Sequence, residues 1–73
     1  MISLTELKPG EHCRITWIPG KLGEELQDRF GIAEDDEAEA ITNLRGEMII
    51  ACRNHRLALS PETAFRIKVE RIS

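Results

Sequence analysis

Two histidines and two cysteines are the side chains of this 73-residue chain best able to bind a transition metal: His12, Cys13, Cys52 and His55. Cysteine and histidine are the usual zinc ligands, and Cys52 and His55 have the short spacing of a chelating pair. His12 and Cys13 are adjacent, however, and adjacent residues of a strand point to opposite faces. Both cysteines lie in apolar contexts typical of small buried side chains. The sequence therefore predicts no metal site, and metal binding or sensing through these four residues remains an alternative function.

The side chains that perform catalysis form no recognisable pattern. Neither Ser3 nor Ser60 has a plausible histidine and acid partner, and no glycine-rich loop opens a helix. The acidic run from Glu34 to Glu37 lacks the alternating ligands and the fixed glycine of a calcium loop, which indicates a solvated turn. Since none of the roles that define an active site is filled, we expect a protein that is not an enzyme and has no cofactor.

A basic segment and one tryptophan are the best candidates for contact with a partner. Residues 53–56 are predicted to form a polar turn, which is either solvated or meets phosphates or an acidic protein surface. Trp17 is either part of the core or an exposed anchor beside the following helix, because tryptophan is enriched among the residues that dominate binding energy. The candidate partner-binding residues are Trp17, Gln27, Phe30, Arg53, His55 and Arg56.

Short strands must position these residues. Apolar patterning predicts strands over 12–18, 37–41, 47–52, 57–59 and 66–72. Apolar residues at every fourth position from Leu22 to Phe30 predict one helix, which ends at Gly31. Ser60 followed by Pro61 predicts a one-turn helix before the last strand. The expected fold is mainly β, a small and strongly bent barrel of five to six short antiparallel strands with these two helices.

Several details of this barrel can be tested. The first strand places a large apolar residue on the wrong side, which requires a bulge near Trp17 or a twisted strand end. Residues 42–46 are predicted to be a loop, and residues 48–52, apolar throughout, to be covered on both faces. The residues expected to point inward are Ala38, Ala40, Leu57, Leu59, Ile67 and Val69.

Composition and charge exclude several classes of protein. The formal net charge is -3, with ten acidic and four basic residues in the first 40 positions and three acidic and six basic residues after them. An acidic total disfavours a nucleic-acid-binding barrel, which remains a further alternative. The longest apolar run, residues 48–52, is far below the roughly 20 residues that span a bilayer. Because no signal peptide precedes the first strand, we expect a cytoplasmic protein that does not insert into membranes.

Ordered motifs along nearly the whole chain resemble the FeoA family, ferrous iron transport protein A. In the first half they are Leu4, Leu7, Gly10, Arg14, Ile15, Leu26, Phe30, Gly31 and Ile32. In the second half they are Gly46, Met48, Ile49, Ile50, Arg56, Leu57, Ala58, Leu59, Ala64, Ile67 and Val69. The chain departs from the family at Trp17, where a polar residue is common.

The resemblance implies a fold and a role. FeoA proteins are SH3-like barrels, similar to the C-terminal domain of iron-dependent repressors. They are small cytosolic partners of FeoB, the bacterial membrane ferrous-iron permease that carries a cytosolic GTPase domain. We therefore expect residues 1–73 to form a single FeoA-like domain, a monomer or weak homo-oligomer, that assists iron uptake by protein–protein contact and binds no nucleic acid.

Overall fold

The computed structural model describes residues 1–72 and contains one antiparallel sheet of six strands in the order β1-β6-β2-β3-β4-β5. The strands are β1 (Ile2–Ser3), β2 (His12–Trp17), β3 (Glu37–Leu44), β4 (Glu47–Cys52), β5 (His55–Leu59) and β6 (Lys68–Ile72). The helices are a 3-10 turn (Leu4–Glu6), α1 (Gly20–Phe30) and α2 (Pro61–Arg66). The mainly β class and the positions of both predicted helices are confirmed.

One core lies inside this sheet. Strands β2 to β6 all contribute buried side chains to it, and loop and helix residues fill the ends. The six side chains that were expected to point inward are all buried. Because one sheet encloses the core largely by itself, its strands must curl around it, as the predicted barrel requires.

Helix α1 is the least buried element of the fold. Its apolar stripe reaches the core fully only at Leu26, while Leu22 and Phe30 are partly buried. Gly31 has φ 68° and donates its N–H to the Gln27 carbonyl oxygen, so the predicted left-handed helix stop is confirmed. Most residues of α1 are therefore exposed to solvent.

The first predicted strand contains the expected irregularity. Ile15 lies opposite Val69 in β6 while Trp17 lies opposite Lys68, so β2 has one extra residue between the two pairs. This bulge turns Trp17 outward, and Ile18, beyond the strand end, becomes buried. The bulge alternative is confirmed.

Two hairpin turns are shorter than predicted. Residues 42–46 are not a loop, because β3 continues to Leu44 and only Arg45 and Gly46 turn, with φ values of 57° and 90°. Residues 53–56 are likewise not one turn: residues 53 and 54 turn with φ values of 51° and 65°, and β5 starts at His55. Two central residues with positive φ make the tight hairpin that matches strand twist, so pairing continues up to the turn.

Two further expectations are corrected. Strand β4 is covered on one face only, since Ile49 is 37% exposed on the outer face. The last strand starts at Lys68, because α2 extends to Arg66 and is longer than one turn. The N-terminal segment contributes a sixth strand, β1, which pairs with β6, so the sheet has the larger of the two strand numbers that were expected.

Candidate partner-binding surfaces

Trp17 is the largest exposed apolar side chain of a strand, with 47% of its surface accessible. It lies directly opposite Lys68 of β6, so the two side chains are cross-strand neighbours. The ammonium of Lys68 lies 4.8 Å from the ring centroid of Phe65 and donates a hydrogen bond to the Phe65 carbonyl oxygen at 3.3 Å. Of the two interpretations of Trp17, the buried core residue is excluded, because the side chain is exposed.

The basic segment is divided between the β4–β5 turn and β5. Arg53 is not free: its guanidinium forms two hydrogen bonds to the carboxylate of Asp36, at 3.0 and 3.2 Å. This contact and the backbone N–H of Ala33 hold the pKa of Asp36 below its usual value. Arg53 therefore ties the hairpin to the turn before β3. Of the two predicted arginines, Arg56 is the one outside any ion pair in residues 1–72.

A shallow groove of about 450 Å³ lies beside this hairpin. His12, Glu39, Ala51 and Arg56 are successive cross-strand partners on β2 to β5 and line it. His55 also lines the groove. Glu39 on β3 and Arg56 on β5 give the groove charged groups of both signs, which suits a polar contact better than an apolar one.

The remaining predicted residues occupy two places. The ring of Phe30 meets the ring of His55 edge-on at 5.1 Å, which anchors the end of α1 to the start of β5. Gln27 is exposed and lines a second hollow, of about 380 Å³, together with Ile18 and Glu34. The structure thus brings Arg53, His55, Arg56 and Phe30 to one area, while Trp17 belongs to a different one with Lys68.

The four possible metal ligands are separated by burial. Cys13 and Cys52 are buried, and burial raises the pKa of Cys13 to about 11 and also raises that of Cys52. A thiolate is the form that binds metal, so both thiols are poor ligands at neutral pH. His12 and His55 are exposed. Within the described chain, no three His, Cys, Asp or Glu side chains are grouped so that they could hold an ion.

Sequence reasoning missed several exposed apolar residues. Phe65 is 59% exposed on α2, and Leu44 is 71% exposed next to the β3–β4 turn, where Ile49 and Ala58 continue an apolar area on the outer face. A helical period from the buried Ala64 would have placed Phe65 outward. Leu44 could not be assigned in this way, because a second bulge between Ala40 and Thr42 changes the alternation.

The sequence model of the FeoA domain matches residues 2–71. The chain belongs to the FeoA domain family. This family is associated with ferrous iron uptake. No curated protein sequence matches the chain. In the part of the FeoA-like chain that the structure describes, no helix is both long enough and apolar enough to cross a bilayer.

Solved structures show the same fold. A crystal structure of an iron uptake regulatory protein (FeoA) has a TM-score of 0.81 at 20% identity and covers 97% of both chains. The FeoA protein of Chlorobium tepidum has a TM-score of 0.85 at 18% identity, covering 99% of this chain and 71% of its own. The iron(II) transport protein A of Clostridium thermocellum has a TM-score of 0.80 at 25% identity, and the match covers 97% of this chain and 46% of that protein. The SH3-like fold expected from the resemblance is confirmed.

A manganese-dependent transcriptional repressor also resembles the chain in fold, with a TM-score of 0.82 at 16% identity. The match covers 97% of this chain and 41% of the repressor. This similarity concerns the fold alone.

Proposed function

We propose that this FeoA domain is a cytoplasmic accessory protein of ferrous iron uptake that contacts the cytosolic GTPase region of a FeoB-like membrane permease. The observation that carries the proposal is the exposure of Trp17 at the end of β2. A bulge directs this side chain out of a small core in which every other apolar residue of β2 is buried. Tryptophan in such a position is the residue type most often found at the energetic centre of protein interfaces.

The rest of the surface favours contact over chemistry. The titratable groups with shifted pKa values are two thiols and residues of the two ion pairs, and each shift has a structural cause in burial or pairing. None of these groups faces a deep cleft with a second catalytic partner, as an active site would require. An accessory role is therefore the function best supported by the described residues.

Titration of the purified chain with the cytosolic region of the permease from the same organism tests this proposal. We expect saturable binding, and Trp17→Ala should weaken it by about 30-fold, the usual effect of losing a central tryptophan. Arg56→Glu should weaken binding if the groove beside β5 joins the interface. Leu44→Ala removes an exposed apolar side chain near another turn and should leave binding unchanged. Absence of binding by the unaltered chain would disprove the proposed function.

A further inference from the structure

Strand β5 is an edge of the sheet, because β4 pairs with one side of it and no strand of residues 1–72 pairs with the other. Residues 53 and 54 form a two-residue turn, so the pair that flanks them is hydrogen-bonded and the pairs alternate from there. Arg56 and Ala58 thus occupy pairs without hydrogen bonds. The N–H of Ile49, opposite Ala58, accordingly donates to the Thr42 hydroxyl of β3. The backbone groups of Arg56 and Ala58 therefore point away from β4.

These outward backbone groups have no partner within residues 1–72, since neither turn and loop bonds nor side-chain bonds use them. The side chains of Arg56 and Ala58 are exposed as well. On the inner side of the same strand, Leu57 and Leu59 are each 8% exposed, the highest value in the apolar core. The core is thus least completely covered along this edge, which can accept one more strand.

A hollow of about 470 Å³ lies on the outer face beside the free edge. The cross-strand neighbours Ile49 and Ala58 give it an apolar floor. Glu47 also lines it, and this exposed carboxylate takes part in neither ion pair of residues 1–72. Glu62, in the first turn of α2, adds a second acid near the β3–β4 turn, where Arg45 is the one base. The hollow therefore suits a side chain with a long apolar stem and a positive end.

We propose that two copies of this chain associate by antiparallel pairing of their β5 strands, with Arg56 of each copy entering the hollow of the other. The free backbone groups must form the hydrogen-bonded pairs, so Arg56 lies opposite Ala58 of the second copy and the two Leu57 residues meet at the two-fold axis. Four backbone hydrogen bonds then join the copies. The neighbouring registers are worse: one sets the two Arg56 side chains against each other, and one sets Arg56 against Ser60, beyond the strand.

The same register brings Arg56 to an acid. Strand spacing and rise place its Cβ about 12 Å from the Cβ of Glu47 in the second copy, a distance that an extended arginine and a glutamate can bridge. Its stem would cover the apolar floor of the hollow. Within its own chain, Arg56 is separated from Glu39 by Ala51 and forms no ion pair with it. The dimer would thus pair charges that each single copy leaves unpaired, which favours a second copy as the occupant of the edge.

This interface is small. A five-residue strand and a few side chains from each copy bury roughly 1,000 Å² in total, the low end for specific association. We therefore expect a dissociation constant on the order of 100 µM. The inference goes beyond the proposed function, which is a contact with a different protein and does not require self-association.

Sedimentation equilibrium of the purified chain from about 20 µM to 1 mM, with a reductant, should show a monomer–dimer equilibrium. Ala58→Pro removes an outward N–H but no bond to β4, so it should weaken the dimer more than about tenfold. Glu47→Arg and Arg56→Glu should each weaken it about tenfold, and the double variant should recover to within about threefold of the unaltered chain. Glu25→Arg makes the same charge change on the exposed part of α1 and should have no effect.

A chain that stays monomeric at the highest concentration would overturn this inference and leave the proposed function intact. A dimer that neither Ala58→Pro nor the single charge changes weaken would form through another surface, which also overturns it. If thermal unfolding shows that Ala58→Pro is not folded, the double charge variant decides, and lack of recovery refutes the pairing. If the unaltered chain is monomeric and Ala58→Pro abolishes binding to the permease's cytosolic region, the edge accepts a strand of that partner and not a second copy.

Discussion

Asn43 joins the β3–β4 hairpin to the N-terminal segment with three hydrogen bonds from one side chain. Its amide nitrogen donates to the carbonyl oxygens of Thr5 and Leu7 at 2.9 and 2.6 Å. Its amide oxygen accepts the backbone N–H of Gly46 at 2.9 Å. Because the Gly46 group can only donate and the two carbonyls can only accept, the orientation of the amide is fixed. We predict that this residue is among the largest single contributors to stability outside the core.

The expected magnitude follows from the number of bonds. A typical hydrogen bond contributes about 0.5–1.5 kcal/mol net, so Asn43→Ala should lower the free energy of unfolding by about 2–4 kcal/mol. A domain of 73 residues has roughly 4–11 kcal/mol in total. The substitution should therefore remove a large part of the stability while leaving the apolar core unchanged.

Asn43→Asp distinguishes hydrogen bonding from packing, because the side chain keeps its shape. The carboxylate still accepts from Gly46 but places an acceptor against the carbonyl oxygens of Thr5 and Leu7, so this variant should be at least as destabilised as Asn43→Ala at pH 7. These neighbours would raise the pKa of Asp in the folded state. The stability that the protonated carboxyl group contributes is fully present below its pKa in the unfolded chain. It is lost as the pH rises through the raised pKa of the folded chain. The deficit relative to the unaltered chain should therefore narrow towards pH 4.

Urea unfolding of the three proteins between pH 7 and pH 4 measures these differences, provided that the dependence on urea is the same in each. Thr42→Ala is the matched control, since the Thr42 hydroxyl accepts one exposed hydrogen bond, from Ile49. It should cost clearly less than Asn43→Ala. If Asn43→Asp were as stable as the unaltered chain at pH 7, the reasoning from these three bonds would be refuted.

Three further predictions concern a hairpin turn, the loss of stability at low pH and a buried thiol. Gly46→Ala should destabilise more than Gly10→Ala, although both glycines have φ +90°, because an added Cβ would lie 3.3 Å from the Cβ of Pro61 only at the first position; equal losses of thermal stability would contradict this. Asp36→Asn should reduce the loss of stability in acid: the lowered pKa of Asp36 means that its contribution is present above the unfolded pKa and lost as pH falls through the folded pKa. Urea unfolding at several pH values measures this loss. If the variant lost as much stability in acid as the unaltered chain, the ion pair would not contribute. Cys13 should react with a maleimide far more slowly in the folded chain than in urea, because the thiol is buried and burial raises its pKa to about 11. Mass spectrometry measures the rate of modification, and similar rates in the two states would contradict the prediction.

The parts of the fold that follow a simple period could be predicted from the sequence. Alternating apolar residues placed Ala38 and Val69 inward, and Ser60 and Gly31 marked the ends of helices through local backbone chemistry. These features depend on neighbours within a few residues, so a short window of sequence contains the information.

The errors arose where conformation depends on a partner strand. Residues 53 and 54 both adopt positive φ without a glycine, which lets β5 start at His55 instead of after residue 56. Such turns are recognised most easily from Asn-Gly or Asp-Gly, and neither pair occurs here. The pairing of β1 with β6 joins opposite ends of the chain, which no local pattern reveals.

The candidate site, too, could be predicted only where it depends on local sequence and not on a partner strand. The residue types at Trp17 and Arg56 indicated contact, but only the bulge in β2 shows that Trp17 points outward, and only the register places Lys68 opposite it. In the sequence Arg53 looked equivalent to Arg56, yet in the structure Arg53 forms an ion pair with the carboxylate of Asp36. A small barrel has few large apolar side chains beyond those that fill its core, so a tryptophan exposed at a bulge is a candidate contact residue. For this FeoA domain, that reasoning favours the surface around Trp17 over the basic hairpin as the place where the proposed partner would bind.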